Sequence, residues 1–180
     1  MMISNNLFSL ESKTALVTGG STGLGLMATA GLAAAGAKVF IVSRKLENCE
    51  KAANKINNCN FKGQVVPFKG DLSSEAGISN IVNELHKKNS ELHVLVNNAG
   101  RTWGSNFGSF PYDAWEKVLN LNVSALFHLT QKLVPLLAAS AEQDSPTRVI
   151  NIGSVMGEVP MGDGAYSYAA SKSAVHHITK

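Results

Sequence analysis

Five short apolar runs punctuate the chain: 14–18 (TALVT), 38–43 (KVFIVS), 64–68 (QVVPF), 93–97 (HVLVN) and 148–152 (RVINI). Most are β-branched and apolar on consecutive positions, the pattern of strands covered on both faces of a parallel sheet. Between them lie stretches with helical spacing of apolar residues, around 25–35, 46–59, 73–89, 111–140 and 165–180. Each stretch is long enough to return the chain to the same sheet edge. The alternation therefore predicts an α/β fold, a doubly wound parallel sheet with helices on both faces and right-handed crossovers. No repeat, low-complexity tract or linker interrupts it, so residues 1–180 read as one domain. In such sheets ligands bind beyond the carboxyl ends of the strands, and the residues just after each run are the ones to inspect.

Composition narrows the function classes. Charged residues make up only 16% of the 180, below the usual quarter or so, which excludes disorder and favours an Ala- and Gly-rich interior. The net charge of +3 comes from scattered Lys and Arg, not from the stripe or cluster that nucleic acid or an anionic membrane surface requires. The uncharged stretch 14–37 is broken by Thr18-Gly19-Gly20-Ser21-Thr22-Gly23 and is too rich in Ala and Gly to span a bilayer. The N-terminal MMISNNLFSLESK lacks the basic start and apolar centre of a secretory leader. Cys49 and Cys59, ten residues apart in one predicted helix, would sit about 15 Å apart, beyond disulfide reach. Reduced cysteines and the missing leader suit a cytoplasmic protein. The histidines show no ligand spacing, so no metal site is expected.

The first strand runs straight into Gly19-Gly20-Ser21-Thr22-Gly23-Leu24-Gly25 and an Ala-rich helix. Glycines there allow a tight turn and let a pyrophosphate approach the N–H groups of a helix N-terminus. The G-x-x-x-G-x-G spacing is not the standard dinucleotide fingerprint, and an ordinary strand-to-helix turn remains an alternative. Gly31 and Gly36 are expected to permit close helix packing. The second strand ends in Ser43-Arg44-Lys45, with no carboxylate to hold a ribose 2′-hydroxyl. A guanidinium suits a 2′-phosphate, so Arg44 points to NADP(H); the other reading is a solvated basic pair at a helix start. Asp71 and Leu72 follow the third strand, with Ser73 as the expected helix N-cap, and Asp71 could accept from an adenine amino group or simply close a turn. Asn97-Asn98-Ala99-Gly100 follows the fourth strand, as a nicotinamide-ribose contact or an Asx turn.

Tyr168 and Lys172, four apart, share one helix face. An ammonium beside a phenol favours the phenolate and suits it to proton transfer. Tyr166 has Ala170 at the same offset and no such partner. Ser154 follows the fifth strand outside any G-x-S-x-G elbow and without an Asp–His pair, so its hydroxyl reads as a donor to a substrate carbonyl, not a nucleophile. Asn122 falls inside an apolar helical stripe of Trp115, Val118, Leu126, Leu129 and Leu133. A buried amide must be satisfied, either by local backbone or as the anchor of a water chain leading to Lys172.

Jointly these motifs resemble the short-chain dehydrogenase/reductase family. Thr18-Gly19-x-x-x-Gly23-x-Gly25, Asp71, Asn97-Asn98-Ala99-Gly100, Asn122, Ser154 and Tyr168-x-x-x-Lys172 stand in that family's order and approximate spacing. The resemblance implies hydride transfer between NADP(H) and a small-molecule carbonyl or alcohol. Tyr168 would be the acid/base, Lys172 would hold the nicotinamide ribose, Ser154 would orient the carbonyl and Asn122 would support a relay water. Gly19, Ser21, Thr22, Gly23, Leu24, Gly25, Arg44, Asp71, Leu72, Asn97, Ala99, Gly100, Tyr168 and Lys172 would contact the cofactor. Thr22 stands where many NADP enzymes carry a second basic residue. Within the family, Trp103-Gly104, Trp115-Glu116-Lys117-Val118 and the 14-residue step from Ser154 to Tyr168 are similar to the rhamnolipid-type 3-oxoacyl reductases, which implies a 3-oxoacyl thioester substrate and a homo-oligomer, dimer or tetramer. The family strand order 3-2-1-4-5-6-7 makes 148–152 an exposed edge when the chain stops at Lys180. Such a chain is expected to be poorly soluble or inactive; the competing function is a truncated, non-catalytic dinucleotide-binding or regulatory fragment.

Overall fold

The first four apolar runs become strands between elements that cover them. The computed structural model describes residues 8–160, 162 and 164–180, so part of the leader reading, residues 1–7, lies outside the described residues. The strands are β1 (Thr14–Thr18), β2 (Lys38–Ser43), β3 (Gln64–Lys69), β4 (Val94–Asn97) and β5 (Arg148–Asn151). The helices are α1 (Gly23–Ala34), α2 (Leu46–Asn57), α3 (Glu75–Lys88), α4 (Tyr112–Leu119), α5 (Ala125–Ala139) and α6 (Tyr166–Ile178). All strands pair in parallel, in the order β3-β2-β1-β4-β5. Strand order reverses between β1 and β4, and the crevice there opens at the strand C-termini.

Alternate strand residues fill two cores. Leu16, Phe40, Phe68 and Leu95 face one side and pack with Ile81 and Leu85 of α3 and Leu129 and Leu133 of α5. Ala15, Val17, Val39, Ile41 and Val96 face the other, against Ala33 of α1 and Ala52, Ala53 and Ile56 of α2. In α1 the buried stripe is Gly25, Thr29 and Ala33, three small residues that bring the helix close to the sheet. Among the described residues no helix is long and apolar enough to cross a membrane.

Several expectations need correction. The 111–140 helix is interrupted: residues Asn120–Ser124 form a π-turn between α4 and α5, and it opens around Asn122 because that side chain bonds across to another segment. Trp115 is partly exposed and lies outside the buried stripe. Helix α2 ends at Asn57, so exposed Cys59 lies beyond it while Cys49 is buried; both are free. Ser74, not Ser73, caps α3, its Oγ accepting from Gly77 N–H at 3.2 Å. Gly31 meets no neighbour at its Cβ position, so it contributes nothing to helix packing. Strand β5 lies at the sheet edge, as the family strand order implied, and departs from two-faced cover: Val149 and Ile150 are 40% and 44% exposed.

Candidate active site

At the end of β1 a small polar network ties the turn together. Thr18 Oγ1 accepts from the N–H groups of Asn98 (3.0 Å) and Ala99 (2.9 Å) and donates to Val96 C=O at 3.3 Å. Asn98 Nδ2 donates to the carbonyls of Thr18 (2.9 Å) and Gly19 (3.2 Å). Gly19 takes φ 65°, a left-handed conformation open to glycine at little cost. A side chain at Gly25 would strike the Gly19 carbonyl and Asn98, so the first turn of α1 sits against the loop. Thr22 caps α1 without a side-chain bond, and no acidic residue occupies the first turn. The N–H groups and positive dipole end of α1 are thus available to an anion.

Two cavities flank this turn. One of about 230 Å³ is lined by Gly19, Thr22, Arg44, Asp71, Leu72, Asn98, Ala99 and Gly100. The other, of about 480 Å³, is lined by Gly19, Ser21, Thr22, Arg44, Lys45 and Asn48. Arg44 is exposed and borders both, and Asp71 Oδ1 accepts from Ser73 N–H at 2.9 Å, closing an Asx turn. A glycine cradle, an uncapped helix N-terminus and a guanidinium beside it fit a ligand carrying phosphates.

A third cavity, of about 490 Å³, is lined by Leu24, Asn98, Gly100, Arg101, Thr102, Ile152, Met156, Tyr168 and Lys172. Lys172 Nζ sits 5.5 Å from the centre of the Tyr168 ring and donates to Ile152 C=O at 2.6 Å. Burial pulls the Lys172 ammonium below its ordinary pKa, because the charged form loses solvation. Ser154 is the N-cap of a short 3₁₀ turn, Val155–Gly157, and its Oγ accepts from Met156 N–H at 3.3 Å. That bond occupies a lone pair and leaves the hydroxyl proton to donate.

Asn122 is 2% exposed and fully engaged: Oδ1 accepts from Arg101 N–H, and Nδ2 donates to Arg101 C=O and Ser171 Oγ, each at 2.9 Å. Ser171 Oγ in turn donates to Tyr168 C=O at 2.7 Å. The structure brings Gly19, Ser21, Thr22, Leu24, Arg44, Asp71, Leu72, Ala99, Gly100, Tyr168 and Lys172 to cavity walls. Gly23, Gly25, Asn97, Asn122 and Ser154 are not among the residues lining these three cavities. Asn97 Nδ2 is turned to Thr130 Oγ1 and Asn151 Oδ1, both at 2.9 Å. Sequence reasoning assigned no separate role to Asn98, Arg101 or Ser171. Asn98 carried the signal of an amide directly after a strand, whereas Arg101 and Ser171 are tied to the site only through Asn122.

Residues 13–180 match the short chain dehydrogenase family, and the chain belongs to it. It is 46% identical over 173 residues to the rhamnolipids biosynthesis 3-oxoacyl-(acyl-carrier-protein) reductase of Pseudomonas aeruginosa, covering 96% of this chain and 66% of that protein. It is 32% identical over 176 residues to 5-keto-D-gluconate 5-reductase of Escherichia coli, covering 98% of this chain and 66% of that one. Its fold superposes with a TM-score of 0.90 on the Pseudomonas aeruginosa RhlG/NADP active-site complex, at 46% identity, over 97% of this chain and 67% of that one. The chain therefore spans about two thirds of the length of these relatives.

Proposed function

We propose that this protein is an NADP(H)-dependent carbonyl reductase. The observation that carries the reading is the 490 Å³ cavity on which Tyr168 and Lys172 of α6 meet Leu24 and Gly100 from the glycine-turn side of the sheet. When bound, NADPH supplies a hydride to the substrate carbonyl carbon. Tyr168 delivers the proton to the carbonyl oxygen, and Ser154 Oγ–H donates to that oxygen and orients it. Lys172, which donates to Ile152 C=O, would place its ammonium beside Tyr168 and hold the nicotinamide ribose. Asn122 fixes the Arg101 backbone and, through Ser171, the turn of α6 that bears Tyr168.

Arg44, bordering both cavities beside the glycine turn, supports NADP(H) over NAD(H), as does the NADP carried by the RhlG complex. A 3-oxoacyl thioester is the proposed substrate class, supported by the 46% identical 3-oxoacyl reductase and by the apolar Leu24, Ile152 and Met156 in the cavity wall. Two unbridged cysteines support a reducing, cytoplasmic setting. Assembly as a homo-oligomer follows the family likeness, and one five-stranded sheet supports a single cofactor-binding domain.

Following NADPH oxidation with a 3-oxoacyl thioester tests the proposal, alongside Tyr168→Phe. The wild type should turn over. Tyr168→Phe should lose roughly 100-fold or more in kcat while holding NADPH with nearly unchanged Kd. Unchanged turnover in Tyr168→Phe would remove the acid/base assignment.

A further inference from the structure

One turn beyond Lys172 on α6, His176 carries an imidazole that the chemistry above does not use. Its Nε2 accepts a hydrogen bond from the backbone N–H of Ser154 at 3.3 Å. Its Nδ1 is buried without a hydrogen-bond partner, 3.5 Å from Glu158 Oε1. That separation is long for a hydrogen bond but inside electrostatic reach. An imidazole that accepts at Nε2 has no proton there, so a neutral ring carries its hydrogen on Nδ1, facing the Glu158 carboxylate.

The loop is shaped around this ring. A methyl group at Gly153 would strike His176 Nε2, and one at Gly157 would come within 2.8 Å of His176 Cε1. Two glycines, each two residues from Val155 at the start of the 3₁₀ turn, thus let the segment close over the imidazole. The far end is tied down as well, Ser173 Oγ donating to Gly157 C=O at 2.6 Å. Ser154 is held at two points: its N–H by His176, and its Oγ by Met156 N–H. With both fixed, the direction in which the Ser154 hydroxyl proton can point is narrowed.

We propose that His176 is a positioning residue for Ser154, with Glu158 selecting the ring tautomer that accepts from the Ser154 N–H. The inference rests on the reductase reading, in which Ser154 donates to the substrate carbonyl oxygen. Losing the grip leaves Ser154 in place chemically but free to turn, and a donor displaced by about 1 Å costs up to about 100-fold in rate.

Two measurements on the whole protein test it. A long-range ¹H–¹⁵N spectrum of histidine-labelled protein should show His176 with a bare Nε2 and a protonated Nδ1; protonation on Nε2 overturns the proposal. In NADPH-dependent ketone reduction, His176→Leu should lower kcat by about 10- to 100-fold, with KM, NADPH Kd and thermal midpoint little changed. His176→Gln, which can return an acceptor to the Nε2 position, should restore kcat to within about threefold of wild type. If the wild type reduces ketones and His176→Leu keeps its kcat, or His176→Gln is as slow as His176→Leu, the positioning role falls alone. A wild type that reduces no ketone overturns the reductase reading, and the positioning role with it, whatever the tautomer.

Discussion

Asn122 holds the main chain of Arg101 at both polar groups, accepting from its N–H and donating to its C=O at 2.9 Å each. One side chain thereby fixes the loop after β4, and its remaining amide hydrogen reaches Ser171 on α6. Asn122→Ala would leave buried donors and acceptors unpaired. It should cost about 1–3 kcal/mol of stability, read from urea unfolding. Asn122→Asp keeps the acceptor but loses both donated bonds, so it should also be destabilised; a neutral Asn122→Ala would show the clamp to be redundant.

Arg44 lines both cavities beside the glycine turn. Arg44→Ala should weaken NADPH binding by about tenfold or more, the size of a charge-assisted phosphate contact. NADH affinity should stay nearly constant. Titration of both cofactors by fluorescence distinguishes this from a general weakening, in which both fall together.

Burial lowers the Lys172 pKa from its ordinary 10.5. The unfolded chain then binds that proton more tightly than the folded one across the interval below 10.5. Stability should rise as pH climbs through that interval. Urea midpoints from pH 8 to 10.5 should rise more in the wild type than in Lys172→Met; parallel profiles would contradict the assignment.

His93 behaves as a neutral acceptor, its Nδ1 receiving the Thr14 N–H at 3.1 Å. Burial first, and the nearby Lys13 second, lower its pKa from 6.5. The contribution of neutral His93 is present above pH 6.5 and is lost as pH falls below it, because protonation costs the β1–β4 junction this bond. Unfolding midpoints should drop between about pH 7 and pH 5. His93→Asn, with an oxygen in place of Nδ1, should flatten that drop.

Strand β5 pairs with β4 on one side, and Val149 and Ile150 expose apolar surface at the sheet edge. Exposed edge strands recruit other strands. Ile150→Lys should reduce aggregation measured by light scattering with little change in thermal midpoint, since the side chain is already 44% exposed. Unchanged scattering would point to another apolar surface.

The pattern of apolar runs was enough to locate all five strands to within a residue or two, because consecutive β-branched residues fit few environments other than a covered parallel sheet. The glycine turn, Arg44, and the four-residue step from Tyr168 to Lys172 were legible for the same local reason: their spacing acts within one turn or one helix. What remained hidden depends on contacts between distant segments. The π-turn that splits 111–140 exists where Asn122 reaches Arg101, 21 residues away. Thr18 and Asn98 join two strand ends 80 residues apart. His176 meets Ser154 across 22 residues, between glycines whose purpose no local pattern reveals. The edge position of β5 was reached only through the family strand order, since a sequence records how apolar a strand is but not what lies beside it. Local spacing thus determined the elements and the chemistry they can carry; tertiary packing alone decided which backbone groups hold that chemistry in place.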